Sequence, residues 1–214
     1  MVNYEKIERF INYNYIPFSV SQCIKRLVGI WGLSMAVCLI GERHPLWFII
    51  LGTFDVLISI TFFRLICKMK TSKSARFLCD GVFYLYIALV LDFAAYRVMA
   101  LNFGESWILF LVFLLLLLVC ITIVVFIVFL NIKSDKYKTE KSTKKFYLLP
   151  FLGGTCGILF ARLFLKSLSQ GAAITLLAVI LLTLSLMMSI GSVNLLKFVW
   201  SVNNRRQRDG SPVS

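Results

Sequence analysis

Six long apolar runs, at residues 27–40, 46–67, 77–101, 107–130, 146–165 and 172–200, leave little room for any fold except a bundle of membrane-spanning helices. A helix needs about 20 apolar residues to cross about 30 Å of hydrocarbon, because each residue advances the chain by about 1.5 Å. Five of the runs reach that length, and the first, with 14 residues, falls short. A chain that is 59% hydrophobic and 15% charged also lies far from the composition of a soluble globule. The expectation is an all-α membrane protein: a six-transmembrane-helix bundle over 19–200. An amphipathic helix on the membrane surface over 1–18 precedes it, and a disordered basic tail over 201–214 follows.

The basic residues set the orientation. With six crossings, Lys6, Arg9, Lys25 and Arg26 share a side with Arg64, Lys68, Lys70, Lys73 and Arg76. The same side takes Lys133, Lys136, Lys138, Lys141, Lys144 and Lys145, and then Lys197, Arg205, Arg206 and Arg208. That is nineteen of the 23 basic residues, against only Arg43 and Lys166 in the opposite loops. Positive loops stay on the cytoplasmic side, so both termini are expected there, in a multi-pass protein of the cell membrane. The formal charge of +13 then reflects topology and attraction to anionic headgroups. Nucleic acid is not an expected partner, since no connection is long enough for a soluble basic domain.

Residues 1–16 place Ile7, Phe10, Ile11 and Tyr15 on one stripe with Glu5, Lys6, Glu8 and Arg9 elsewhere, the pattern of a helix lying in the interface. A cleaved leader would begin with a charge followed at once by a short apolar core, and the mixed start does not read that way. The six cysteines are scattered without a CxxC pair and read as small apolar residues.

Small residues mark where helices can approach. Gly29 and Gly32 share a face of the first run, and Gly153, Gly154 and Gly157 cluster in the fifth. Ser185, Ser189 and Ser192 share a face of the sixth. Run 107–130 is apolar all round, which predicts a place at the bundle edge against lipid.

Charges inside spans are costly, at least about 2.5 kcal/mol each on insertion scales, and therefore point to a partner or a site. Asp55, Asp92, Arg97 and Arg162 fall in the outer halves of three different runs and are the candidate ligand- or ion-binding residues. Asp92 and Arg97 are five apart, about 140° around a helix, so they make poor partners for each other. Pairing of Asp55 or Asp92 with Arg162 is the more reasonable geometry. Asp80 lies near the inner interface, within reach of water or Arg76. His44 is the only histidine, and no spaced ligand set, HExxH, GxSxG or Walker sequence occurs. No metal, no cofactor and no catalytic residue is therefore expected. The nearest approach to a catalytic set is Asp55 and Asp92 with Tyr84, Tyr86 and Tyr96. The leading expectation is a transport or ligand-binding membrane subunit with a polar cavity in the outer half of the bilayer. The alternative is an accessory, immunity or regulatory protein that docks a protein partner or a second copy, with an intramembrane enzyme third.

Overall fold

The computed structural model describes residues 4–13, 20–41, 45–138 and 169–208. These form helices and no strand: α1 (Tyr4–Asn12), α2 (Val20–Cys38), α3 (Pro45–Thr71), α4 (Lys73–Phe103), α5 (Trp107–Lys133), α6 (Gln170–Ser189) and α7 (Val193–Arg208). A 3-10 turn at Ile190–Ser192 joins α6 and α7 into one long rod.

Among the described residues, four stretches are long and apolar enough to cross a membrane: Pro45–Ile66, Lys73–Phe103, Trp107–Lys133 and Gln170–Asn203. They coincide with the second, third, fourth and sixth apolar runs. The first run lies in α2, whose 19 residues include Lys25 and Arg26 and which is not among the four. The fifth run, with Gly153, Gly154, Gly157 and Arg162, lies outside the described residues, as do His44, residues 139–145 and the tail from 209.

Helix α4 is the centre of the bundle. Every residue from Val90 to Val98 is buried, which a helix achieves only when neighbours cover it all round. It touches α2, α3, α5, α6 and α7. Its start is fixed by Ser72, the single residue between α3 and α4, whose side chain accepts from the Ala75 N–H. One residue leaves no room for a loop, so α3 and α4 form a tight hairpin.

The closest approach is between α4 and the α6–α7 rod, and it depends on two glycines. A Cβ at Gly191 would lie 2.2 Å from Cγ of Tyr84, and one at Gly81 would lie 2.8 Å from the backbone nitrogen of Leu195. Each helix thus presents bare backbone to a side chain of the other. The serine face of the rod turns the same way: Ser185 is fully buried and donates to the Ala88 carbonyl at 2.7 Å. Gly29 and Gly32 differ, since both are exposed and a Cβ at either meets nothing within 4 Å.

Helix α5 buries Phe113, Leu117, Val128 and Ile132, a narrow stripe, and leaves Ile108, Leu111, Leu115, Leu118 and Phe126 more than half exposed. That matches a place at the edge of the bundle.

Helix α1 is amphipathic, but its apolar stripe is taken by protein. Phe10 is 1% exposed and packs on Tyr137, Trp200, Val128 and Ile132. Around it, Arg9 bridges to Asp135 at 3.0 Å, Lys6 donates to the Lys133 carbonyl, and Lys197 donates to the Tyr13 carbonyl at 2.6 Å. Helix α1 is thus docked on the end of α5 and the first half of α7. An amphipathic pattern specifies an apolar neighbour without saying whether it is lipid or protein. Asp80 is likewise engaged by Arg26, which also lies over the Phe83 ring.

These contacts predict opposite outcomes for two glycine substitutions. Gly81→Ala is expected to lower the thermal unfolding midpoint in detergent, since overpacking against backbone costs about 1–3 kcal/mol. Gly32→Ala should leave it unchanged or raise it, because alanine is the better helix former by about 0.5–1 kcal/mol.

Candidate functional site

Three helices meet at Asp55. It lies ten residues into α3, about 15 Å from the start of the helix at about 1.5 Å per residue, and is fully buried. Its Oδ1 accepts from the Tyr86 hydroxyl of α4 at 2.7 Å and from the Ser34 hydroxyl of α2 at 3.1 Å. Those two hydroxyls lie 3.3 Å apart, closing a triangle of oxygens. One turn further along α3, Ser59 donates to the Asp55 backbone carbonyl at 2.7 Å and accepts from the Trp31 indole at 3.1 Å. The carboxyl is therefore held from two neighbouring helices, while its other oxygen, Oδ2, is buried with no hydrogen-bond partner among the described residues.

The local sequence explains the placement. Ser59 is four residues after Asp55, so both lie on one helix face, and Ser34 brings a short polar side chain to the facing surface of α2. Serine keeps the two backbones close. Tyr86 reaches across from α4 with its ring in apolar surroundings and its hydroxyl at the carboxylate.

Asp92 is 3% exposed, and its Oδ1 has no hydrogen-bond partner among the described residues. It is six residues beyond Tyr86, about 120° around α4, so it faces a different side from the Asp55 cluster. It contributes to the wall of a cleft of about 420 Å³ between α3, α4 and α5. Tyr86 lines the same cleft, and every other lining residue is apolar. The described cavity beside these carboxylates is thus an apolar cleft with polar groups at Tyr86 and Asp92.

Arg97 is 2% exposed, and it makes contacts at the end of the bundle where α2 ends and α4 meets α5. Nε and Nη2 donate to the Ile40 carbonyl at 3.2 and 2.6 Å, and Nη1 pairs with Glu105. It ties the end of α2 to the α4–α5 connection. It also packs against Gly41, whose φ of +70° is the left-handed turn that glycine adopts without strain. The structure therefore brings Asp55 together with Ser34 and Tyr86, sets Asp92 on a separate face, and leads Arg97 elsewhere. Arg162 lies outside the described residues.

Chemically, the Asp55 cluster can hold an exchangeable proton. Its carboxyl is deep in the bundle, receives two hydroxyl donors on one oxygen, and has no cationic side chain bonded to it among the described residues. A lasting negative charge there is costly, so protonation or an incoming cation stabilises it. Among the described residues no group of three or more His, Cys, Asp or Glu side chains could hold a metal ion. Ser34 was not anticipated from sequence, because a lone serine in an apolar helix gives no signal of what it faces.

Compared with protein-family models, with curated proteins and with solved structures, the chain matches none.

The hydrogen-bond pattern predicts unequal costs for two substitutions. Tyr86→Phe strips a donor from a buried carboxyl and should destabilise by about 1–3 kcal/mol. Asp55→Asn keeps an acceptor for both hydroxyls and should cost less. Thermal unfolding of both variants in detergent checks the order, and the reverse order would mean that the fold depends on the charge of Asp55.

Proposed function

We propose that this chain is a transport or ligand-binding subunit of the cell membrane, with six crossings, both termini cytoplasmic, and Asp55 as the group whose protonation changes during the cycle. The observation that carries the reading is a buried carboxyl, anchored by hydroxyls from two neighbouring helices, with one oxygen unpartnered. A purely structural aspartate would be expected to use both oxygens or to pair with a cation, because unpaired polar atoms in hydrocarbon are destabilising. The cleft alongside supports ligand binding, since Tyr86 belongs to both.

The orientation is supported by the clustering of basic segments. Lys73 at the start of α4 donates to Asn12 at the end of α1, while Lys6 and Lys133 meet at the end of α5. Loops expected on one side of the bilayer are thus neighbours. Partner docking is the second reading. The observation that favours it is the exposed Gly29 and Gly32 backbone beside Trp31 and Met35 on α2, open to a second membrane helix or another copy.

Topology is checked by single-cysteine labelling in intact cells. Positions 43, 103 and 168 should react from outside, and positions 72, 139 and 208 only after permeabilisation. Labelling of 139 from outside would overturn the six-crossing arrangement.

The role of Asp55 is checked in proteoliposomes loaded with a pH-sensitive dye and exposed to a panel of small solutes. The wild type is expected to couple at least one solute to proton movement, and Asp55→Asn to fold with an unfolding midpoint near that of the wild type while losing the coupling. Equal proton movement in the two proteins would exclude Asp55 as the titrating group.

A further inference from the structure

The cleft between α3, α4 and α5 has three properties that together specify a class of ligand. The first is its access. Phe54 and Leu89, which line it, are 52% and 40% exposed on the outer surface of the bundle. That surface faces lipid when α3 and α4 span the bilayer, so the mouth is lateral and a ligand would enter from the membrane. The second is its lining. Trp47, Phe93 and Phe110 stack as a group of rings, with Trp47 and Phe93 centroids 4.6 Å apart, and they surround the volume with apolar surface. About 420 Å³ falls within the range of small-molecule pockets, about 300–1,000 Å³. The third is Asp92, 97% buried by its 3% exposure, at the wall of the cleft with Oδ1 lacking a partner.

An empty apolar groove alone would be filled by a lipid chain and would specify nothing. A buried carboxylate changes that. Held eleven residues from the end of α4, about 16 Å at about 1.5 Å per residue, Asp92 is far from water along the helix axis. It bonds to no cationic side chain among the described residues. A ligand that supplies the missing positive charge gains a charge-assisted hydrogen bond in a low-dielectric site, and a neutral or anionic one does not. Aromatic walls add to this preference, because ring faces attract cations.

We infer that this cleft binds an amphiphilic cation, an ammonium-bearing molecule with an apolar body, entering laterally from the bilayer and anchored by Asp92. The inference rests on the transport or ligand-binding reading and names its ligand class. The apolar body lies among Trp47, Phe93 and Phe110, and the ammonium meets Asp92. Tyr86, which lines the same cleft and donates to Asp55, places the bound molecule one side chain away from the proton-holding cluster.

The test uses the full chain in phosphatidylcholine nanodiscs, whose zwitterionic surface does not itself concentrate cations. The probe is dodecylamine with a nitroxide at its chain end, and the readout is quenching of tryptophan fluorescence. Saturable quenching is expected, and Trp47→Phe should remove its saturable part. Analogues ending in a hydroxyl or a carboxylate should quench only by linear partitioning. Asp92→Asn should weaken the amine at least tenfold. Should that variant fail to fold, Leu89→Phe with Leu114→Phe fills the cleft while leaving the carboxylate, and must weaken binding to the same degree. Equal quenching by all three probes would reduce the cleft to a seat for a lipid chain and overturn the inference. Undiminished amine binding in both the Asp92 and the filled-cleft variants would do the same. Asp55-dependent proton movement that persists when the amine fails to bind would leave the broader reading standing and remove only this ligand class.

Discussion

The crossing of α4 with the α6–α7 rod is the contact on which the other packing depends. Gly81 and Gly191 bring two backbones within reach of each other, and Tyr84 and Leu195 fill the space that their missing side chains leave. In a bilayer this closeness is the main source of association energy, since lipid is as apolar as leucine and only better packing favours protein contact over lipid contact. Once α4 is fixed against the rod, its remaining faces are available to α2, α3 and α5. That arrangement carries Tyr86 to Asp55 on one side and leaves Asp92 on another. Ser185 reinforces the same crossing by donating to the Ala88 carbonyl, a bond that would be lost with a small rotation of either helix.

The two ends of the bundle are tied differently. At the end where α2 finishes, Arg97 collects the Ile40 carbonyl and Glu105, closing two connections with one side chain. At the other end α1 seals α5 and α7 through Phe10, with Lys197 near both Phe10 and Phe77 rings and donating to the Tyr13 carbonyl. Between these ties the helices meet mainly through apolar side chains, and the middle is where the Asp55 cluster and the cleft are found.

Hydropathy made α3, α4, α5 and the α6–α7 rod legible, because a long apolar run in a chain of this composition has one stable form in lipid. The same measure left α2 uncertain, as Lys25 and Arg26 shorten its apolar part. It could not foresee that Arg26 is matched by Asp80 across the helix interface. The glycine spacing at Gly29 and Gly32 pointed to a close contact, whereas the closest described approaches use Gly81 and Gly191, each without a second glycine one turn away. Spacing reports which residues share a face and says nothing about which face is covered. Asp55 was singled out by its charge inside a span, and the structure buries it. Its partners were illegible because Ser34 and Tyr86 come from other helices. Arg97 was singled out for the same reason as Asp55, yet a long side chain near a helix end can reach a loop carboxylate. Eight residues on, Glu105 provides one.

Tyr86 gives the proposed reading its internal logic. Its ring borders the cleft and its hydroxyl supplies the shorter of the two hydrogen bonds to Asp55. A ligand that shifts the ring in the cleft would withdraw that donor and leave Oδ1 with Ser34 alone. Losing a donor disfavours the charged form of the carboxyl, whereas the positive charge of a nearby ammonium favours it, so ligand entry and proton uptake would be linked with a sign set by the larger of the two effects. The linkage is reciprocal: protonation of Asp55 weakens its hold on the Tyr86 hydroxyl and frees the ring to adapt to an occupant. No direct contact between Asp55 and the ligand is required, since Tyr86 lines the cleft and Asp55 does not.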